Sequence, residues 1–260
     1  MQKNKLSTVS IIGTSISSIT MEELIEYMNS KIDSKSKIRI CVTPVNCLTA
    51  AHHSKDLRSI YNTADIVLCD GVPILWASKY LNNPIKQRIT GLDLTPQYIK
   101  ECVDKGFSMY FLGAKEGVAK HLAEKMQQTY SAIKIVGYYS PPFAEKFSDR
   151  ENAKMISLIN DAKPDIVFVS FTAPKQDYWI YDHIDKLDTH IAIGVGGAFE
   201  VSAGLIERAP VFYQKNGLEW FYRFIKEPRR LFKRYFIDAP IFFPLVLIQK
   251  LWPNYFDKKL

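Results

Sequence analysis

Six short runs rich in aliphatic and β-branched residues, at 38–42, 66–69, 108–112, 133–137, 165–171 and 190–195, alternate with stretches of helical periodicity. The helical stretches lie at 45–63, 72–81, 92–105, 115–130, 149–162 and 174–187, and Thr20-Met21-Glu22-Glu23 adds a capping-box signature for a helix reaching about residue 32. Strands that are apolar on both faces cannot leave one face to water. With a helix between each pair, they predict an α/β fold: a mostly parallel sheet covered by helices on both sides. The chain has no internal repeat and no long linker. Its 260 residues suit one large domain or a core with a small appendage.

Charge marks where such an appendage begins. Residues 208–260 hold eleven basic and four acidic side chains, and the other 23 basic and 23 acidic residues balance over 1–207. The division expected is a core of 1–207 and a basic, amphipathic helical appendage of 208–260. On a helical wheel, residues 217–236 put Trp220, Phe221, Phe224, Ile225, Phe232 and Phe236 on one broad side and Arg223, Lys226, Arg229, Arg230 and Lys233 on the other, with a break expected at Pro228. The apolar run at 241–252 is too short to cross a bilayer and long enough to lie in its interface. Two readings remain open: the apolar side packs on the protein's own core, or it docks on an anionic membrane surface, where each Lys or Arg contributes about 1 kcal/mol. So many large apolar residues serve a bilayer better than nucleic acid, which is not an expected partner. The same surface could also be shared between copies in a homo-oligomer.

Several chemistries lack their signatures. There is no P-loop, no early G-x-G-x-x-G, no C-x-x-C and no pair of aspartates two apart. His52 and His53 are adjacent, which splays them on a helix, and no metal or cofactor is expected. The four cysteines are expected to be reduced, and the polar opening MQKNKLSTVS is unlike a signal peptide, so a cytosolic protein is expected.

In an open parallel sheet, ligands bind beyond the carboxyl ends of the strands. The polar residues there are Thr43 and Asn46, Asp70 before Gly71, Tyr138 and Tyr139, residues 172–176, and the cluster from Gly194 through Gly196 and Gly197 to Glu200. Asp70 suits a general base at the mouth of a cleft and equally suits capping of the next helix. The glycines could let backbone approach a phosphate, or could simply make a tight turn. Arg88 suits a phosphate partner or an ordinary loop cation.

Five stretches together closely resemble the WecG/TagA/CpsF family of bacterial glycosyltransferases: CVTPVNCLTAAHHS, ADIVLCDGVPILWASKYL, QRITGLDL, DIVFVSFTAPKQDYWI, and IGVGGAFEVSAGLIERAPVFYQKNGLEWFYRFIKEPRRLFKRY. The resemblance spans nearly the whole chain. It implies a Rossmann-like core and an inverting, metal-independent transfer from a UDP-sugar to an undecaprenyl-diphosphate-linked saccharide. The setting implied is envelope or surface polysaccharide assembly, with the protein peripherally held at the inner face of the bacterial cytoplasmic membrane. It implies Asp70 as general base with Thr43, Asn46 and Arg88 beside it, Gln176 on the diphosphate side, and Tyr138 or Tyr139 stacking on uracil. It also implies Glu200 at the base site, where Asp is frequent, and Arg223, Arg230 and Lys233 closing over the site from the tail.

Overall fold

The computed structural model describes residues 6–256, the side chains of Arg230 and Arg234 excepted. A hairpin of β1 (Thr8–Ile11) and β2 (Thr14–Ser17) leads into α1 (Met21–Asp33). The expected capping box is present: Glu23 N–H donates to Thr20 Oγ1 at 3.2 Å, and Thr20 N–H donates to Glu23 Oε2 at 2.9 Å. Then follow β3 (Ile38–Pro44), α2 (Val45–His53), α3 (Lys55–Asn62), β4 (Ile66–Asp70), α4 (Val72–Tyr80) and α5 (Gly91–Lys105). The remainder of the core is β5 (Ser108–Gly113), α6 (Val118–Thr129), β6 (Lys134–Tyr139), α7 (Asp149–Ala162), β7 (Ile166–Ser170), α8 (Lys175–His183), β8 (Ile191–Gly194) and α9 (Ala198–Ser202). The tail carries α10 (Val211–Lys215), α11 (Glu219–Lys226), α12 (Pro228–Phe232), a π-helical segment Lys233–Asp238 and α13 (Phe242–Leu251).

All six expected strands pair in one parallel sheet, in the order β4-β3-β8-β7-β5-β6. Side chains alternate between its faces. Ile38, Ile40, Ile66, Phe111, Phe168 and Ile193 meet α1, α5, α6 and α9. Cys41, Val67 and Cys69 meet α2, α3, α4 and α13, while Leu112, Val167 and Val169 meet α7 and α8. Each fully buried aliphatic side chain of this kind stabilises the fold by about 1.5–3 kcal/mol. The result is a Rossmann-like core. After β3 the chain turns to the α2 side, and after β8 it turns to the α9 side. That divergence opens a crevice between the carboxyl ends of two adjacent strands, the place where α/β sheets bind ligands.

Two local features depart from the sequence expectation. The expected helix 45–63 is two helices, because the Ser54 hydroxyl accepts the Leu57 N–H and starts a new one. The hairpin was not anticipated. It covers the exposed edge of the sheet, with Val67 N–H donating to Ser17 Oγ at 3.1 Å. Its two-residue turn has positive φ at Ile12 (44°) and Gly13 (83°). A β-branched residue there is unfavourable, yet Ile12 is fully buried and its N–H is held by Gln249 Oε1 at 2.7 Å.

The tail divides into two parts. As expected, Pro228 begins a new helix after α11. On α13, however, Phe242, Leu245 and Val246 join the core on the α2–α4 side, and Phe256 beyond it is buried there too. That part of 208–260 is integral to the fold.

Candidate active site

Strand register brings the residues nearest the sheet's carboxyl edge together. Pro44 is opposite Asp70 and Thr43 opposite Cys69. Thr43 is fully buried and its hydroxyl has no partner among the described residues, so the strand end carries a polar group its own surroundings do not satisfy. Asn46 lies in the first turn of α2, with Nδ2 3.7 Å from Cys47 Sγ. Asp70, half-buried, follows Leu68 on the α5 side of the sheet. The loop after α4 runs back along β4, because Ile89 N–H donates to Cys69 O at 3.0 Å and Ile85 and Ile89 are buried. This loop carries Arg88 to the same edge. Burial pushes the Cys69 thiol up to about 12, with the Asp70 carboxylate adding to the rise and Arg88 opposing it.

Arg88 is also the link to a second group of charges. Its Nη2 lies 3.7 Å from Glu219 Oε2 and 4.0 Å from Asp93 Oδ2. Arg208 binds the same two carboxylates more closely, at 2.8 Å to Glu219 and 2.6 Å to Asp93. Burial works against the Arg208 charge, yet the two carboxylates raise its pKa above the usual arginine value. Glu219 thus ties α11 to the first turn of α5, which Thr90 caps by accepting the Asp93 N–H at 3.1 Å. Sequence reasoning did not single out Asp93, Arg208 or Glu219. The available signal was the R-A-P and L-E-W stretches, which place an Arg and a Glu eleven residues apart.

The glycine-rich loop after β8 is fixed from beneath. Gly196 has φ 58° and its N–H donates to Gln176 Oε1 at 2.9 Å, while Ser170 Oγ donates to Gly196 O at 2.5 Å. Gln176 is almost wholly buried, and a Cβ at Gly194 would approach its side chain to 2.7 Å. A Cβ at Gly91 would meet Val195 O at 2.5 Å, so the start of α5 can approach this loop only as glycine. Beside Gln176, Asp177 is buried against Tyr61, which donates to its Oδ2 at 3.1 Å. Burial pushes that carboxyl up to about 7, against the lowering effect of Tyr61, Cys41 and Arg39.

A cleft lies between this loop and the tail, lined by Gly197, Glu200, Arg208, Glu219, Tyr222 and Arg223, among others. Glu200 Oε2 is buried there without a partner among the described residues. The expected residues therefore fall into two connected groups: Thr43, Asn46, Asp70 and Arg88 at the β3–β4 edge, and Gly196, Gly197, Glu200 and Arg223 around the cleft, with Gln176 supporting the loop. Lys233 is exposed on the π-helical segment and does not line the cleft; the side chain of Arg230 lies outside the described residues. Tyr138 stands apart on β6, three strands from β8, or roughly 14 Å at the usual strand spacing. Its ring is exposed, whereas the Tyr139 hydroxyl donates to Glu151 and accepts from Lys154, both at 2.7 Å. Among the described residues, no three His, Cys, Asp or Glu side chains are placed to hold a metal ion, and no helix is long and apolar enough to cross a membrane.

Such an edge offers a carboxylate for proton transfer and, a short way off, the cations Arg88 and Arg223 for a developing negative charge. Known proteins resemble the chain over most of its length. Curated relatives from Staphylococcus aureus strains MW2, MRSA252 and NCTC 8325 / PS 47 are each 27% identical over 232 residues, covering 88% of this chain and 89% of the relative. Each is named N-acetylglucosaminyldiphosphoundecaprenol N-acetyl-beta-D-mannosaminyltransferase. The profile of the family described as "Glycosyl transferase WecG/TagA/CpsF family" matches residues 9–255. The chain belongs to that family and is a glycosyltransferase.

Proposed function

We propose that the protein transfers a sugar, with inversion and without a metal ion, from a UDP-sugar to an undecaprenyl-diphosphate-linked saccharide at the inner face of the cytoplasmic membrane. Of the donor sugars that the family resemblance leaves open, N-acetylmannosamine, its uronic acid and glucose, the names of the relatives favour the first.

The observation that carries the reading is Asp70 at a parallel-strand terminus, with Arg88 at the same edge and salt-bridged to the cleft. The Asp70 carboxylate takes the proton of an acceptor hydroxyl as that oxygen bonds to the anomeric carbon. The bond from that carbon to the diphosphate breaks, and UDP leaves with the electron pair. Negative charge growing on the diphosphate meets Arg88 and Arg223, beside the glycine loop that Gln176 holds in shape. Fixed cations of this kind need no reorganisation as the charge develops. Membrane association draws support from the exposed Trp220, Phe221, Ile225, Phe232 and Phe236 beside Arg223, Lys226, Arg229 and Lys233.

Asp70→Asn should lower turnover by about 10²–10⁴-fold while UDP-sugar still binds, as read by UDP release and by calorimetric titration. Turnover within a few-fold of the parent protein would remove Asp70 from the base role.

A further inference from the structure

A groove outside the charged cleft remains without a role. It runs between α4 and α13. Trp76 and Tyr80 from α4 form one wall and Phe243 and Leu247 from α13 the other. Ala77, Phe242 and Val246, all buried, make the floor, and Pro73 closes one end. The wall residues are large yet exposed, with Trp76 at 60% and Phe243 at 51%. A concave apolar row of this kind on a protein surface marks a binding site more often than an accident of packing.

Its position relates it to the reaction. α4 starts at Val72, two residues after Asp70, so it begins at the strand end that carries the proposed base, and its length of about 13 Å leads away from that edge on the α13 side of the sheet. The tail closes on that start as well, since a Cβ at Gly217 would come within 2.8 Å of Val72. An occupant that is apolar, elongated and attached to something reacting at that edge meets both the lining and the position of the groove. Bulk bilayer chains meet the apolar condition without the attachment. The tail also has a separate surface suited to a bilayer, on α11, α12 and the π-helical segment, where exposed aromatics adjoin Arg223, Lys226, Arg229 and Lys233.

We infer that the α4–α13 groove binds the first isoprene units of the lipid-linked acceptor, fixing the acceptor sugar against Asp70. This rests on the proposed acceptor class and adds a subsite to it. The groove holds about 260 Å³, somewhat less than the usual small-molecule site, so it takes only the start of a long chain and leaves the remainder to the bilayer.

The test compares two soluble acceptors without membrane: N-acetylglucosamine linked through diphosphate to a farnesyl group, or to a methyl group. The intact protein should show a KM for the farnesyl acceptor at least about tenfold lower than for the methyl one. The Trp76→Ser/Leu247→Ser double variant should lose that preference while keeping its KM for the methyl acceptor and its sedimentation with anionic vesicles. Equal KM values in the intact protein, or an unchanged preference in the variant, overturn the groove. Tyr80→Ser is the second variant should the double one unfold. Quenching of tryptophan fluorescence by farnesyl diphosphate alone separates this inference from the transferase reading. Quenching that is saturable and lost with Trp76, without transfer to either acceptor, upholds the groove and removes the proposed substrate; absence of saturable quenching overturns the groove.

Discussion

α11–α12 and α13 are close neighbours in sequence and both rich in aromatic and aliphatic residues, yet they lie on the molecule in opposite ways. α13 inserts Phe242, Leu245 and Val246 between α2 and α4, and Gln249 pins the hairpin by accepting from Ile12 N–H and donating to Ser10 O at 2.8 Å. α11 and the segment after it bury Leu231 and Glu219 but leave Trp220, Phe221, Ile225, Phe232 and Phe236 exposed. Some of these rings meet one another: Phe232 stacks on Phe236 at 5.3 Å, and Phe224 contacts Phe236 at 5.0 Å. The difference is in the charge between the apolar residues. The ten residues of α13 include one cation, whereas those of α11 and α12 include several, and burying the second set would strand charges. An apolar helix face is thus a statement about what needs covering, and the intervening charges decide whether the cover is protein or something wetter.

The largest expected effect tests the buried half. Phe242→Ala removes a fully buried ring from between two helices and should cost about 3–5 kcal/mol of folding stability, read by urea denaturation. A loss under 1 kcal/mol would mean that α13 is only loosely attached.

Asp177 gives the core a pH signature. Its carboxyl keeps a proton up to about pH 7 when folded and releases it near pH 4 when unfolded. The folded state therefore binds more protons between those values, and its stability falls as pH rises through that window. Asp177→Asn should flatten this part of the stability profile, a difference on the order of 2–3 kcal/mol between pH 4 and 7. An unaltered slope would assign the effect to other groups.

On the exposed half, replacing Arg229 and Lys233 by Gln should weaken binding to anionic vesicles by about 1 kcal/mol per charge, or roughly thirtyfold in all. The loss should shrink in high salt, and vesicle binding that ignores both the substitutions and the salt would refute an electrostatic contact.

Much of this arrangement was legible from the chain. The six sheet strands carry continuous apolar runs, and the rule that parallel sheets bind at carboxyl ends singled out Thr43, Asp70 and the Gly194–Gly197 turn before any geometry was known. The hairpin was not legible, because its four-residue strands are mostly Ser and Thr and its turn places a buried Ile where Asn or Asp is usual. The Arg208–Glu219 pair was hidden for a different reason: the two residues flank α10 and a turn, so no helical or strand period relates them. Tertiary contact with Arg88 and Asp93 gives the pair its place.

The smallest expected effect sharpens the comparison most. Phe221→Ser removes a ring as large as that of Phe242, but one that is 41% exposed. Surface substitutions of this type change stability by about 0.5 kcal/mol or less. The denaturation midpoint should therefore stay close to that of the parent protein while vesicle sedimentation declines, since an apolar side chain leaves the interfacial face. If Phe221→Ser instead destabilised the protein as Phe242→Ala does, the α11 face would be packed against protein in solution, through a second copy of the chain. Ultracentrifugation of the two variants side by side would then show the parent protein as a dimer and Phe221→Ser as a monomer.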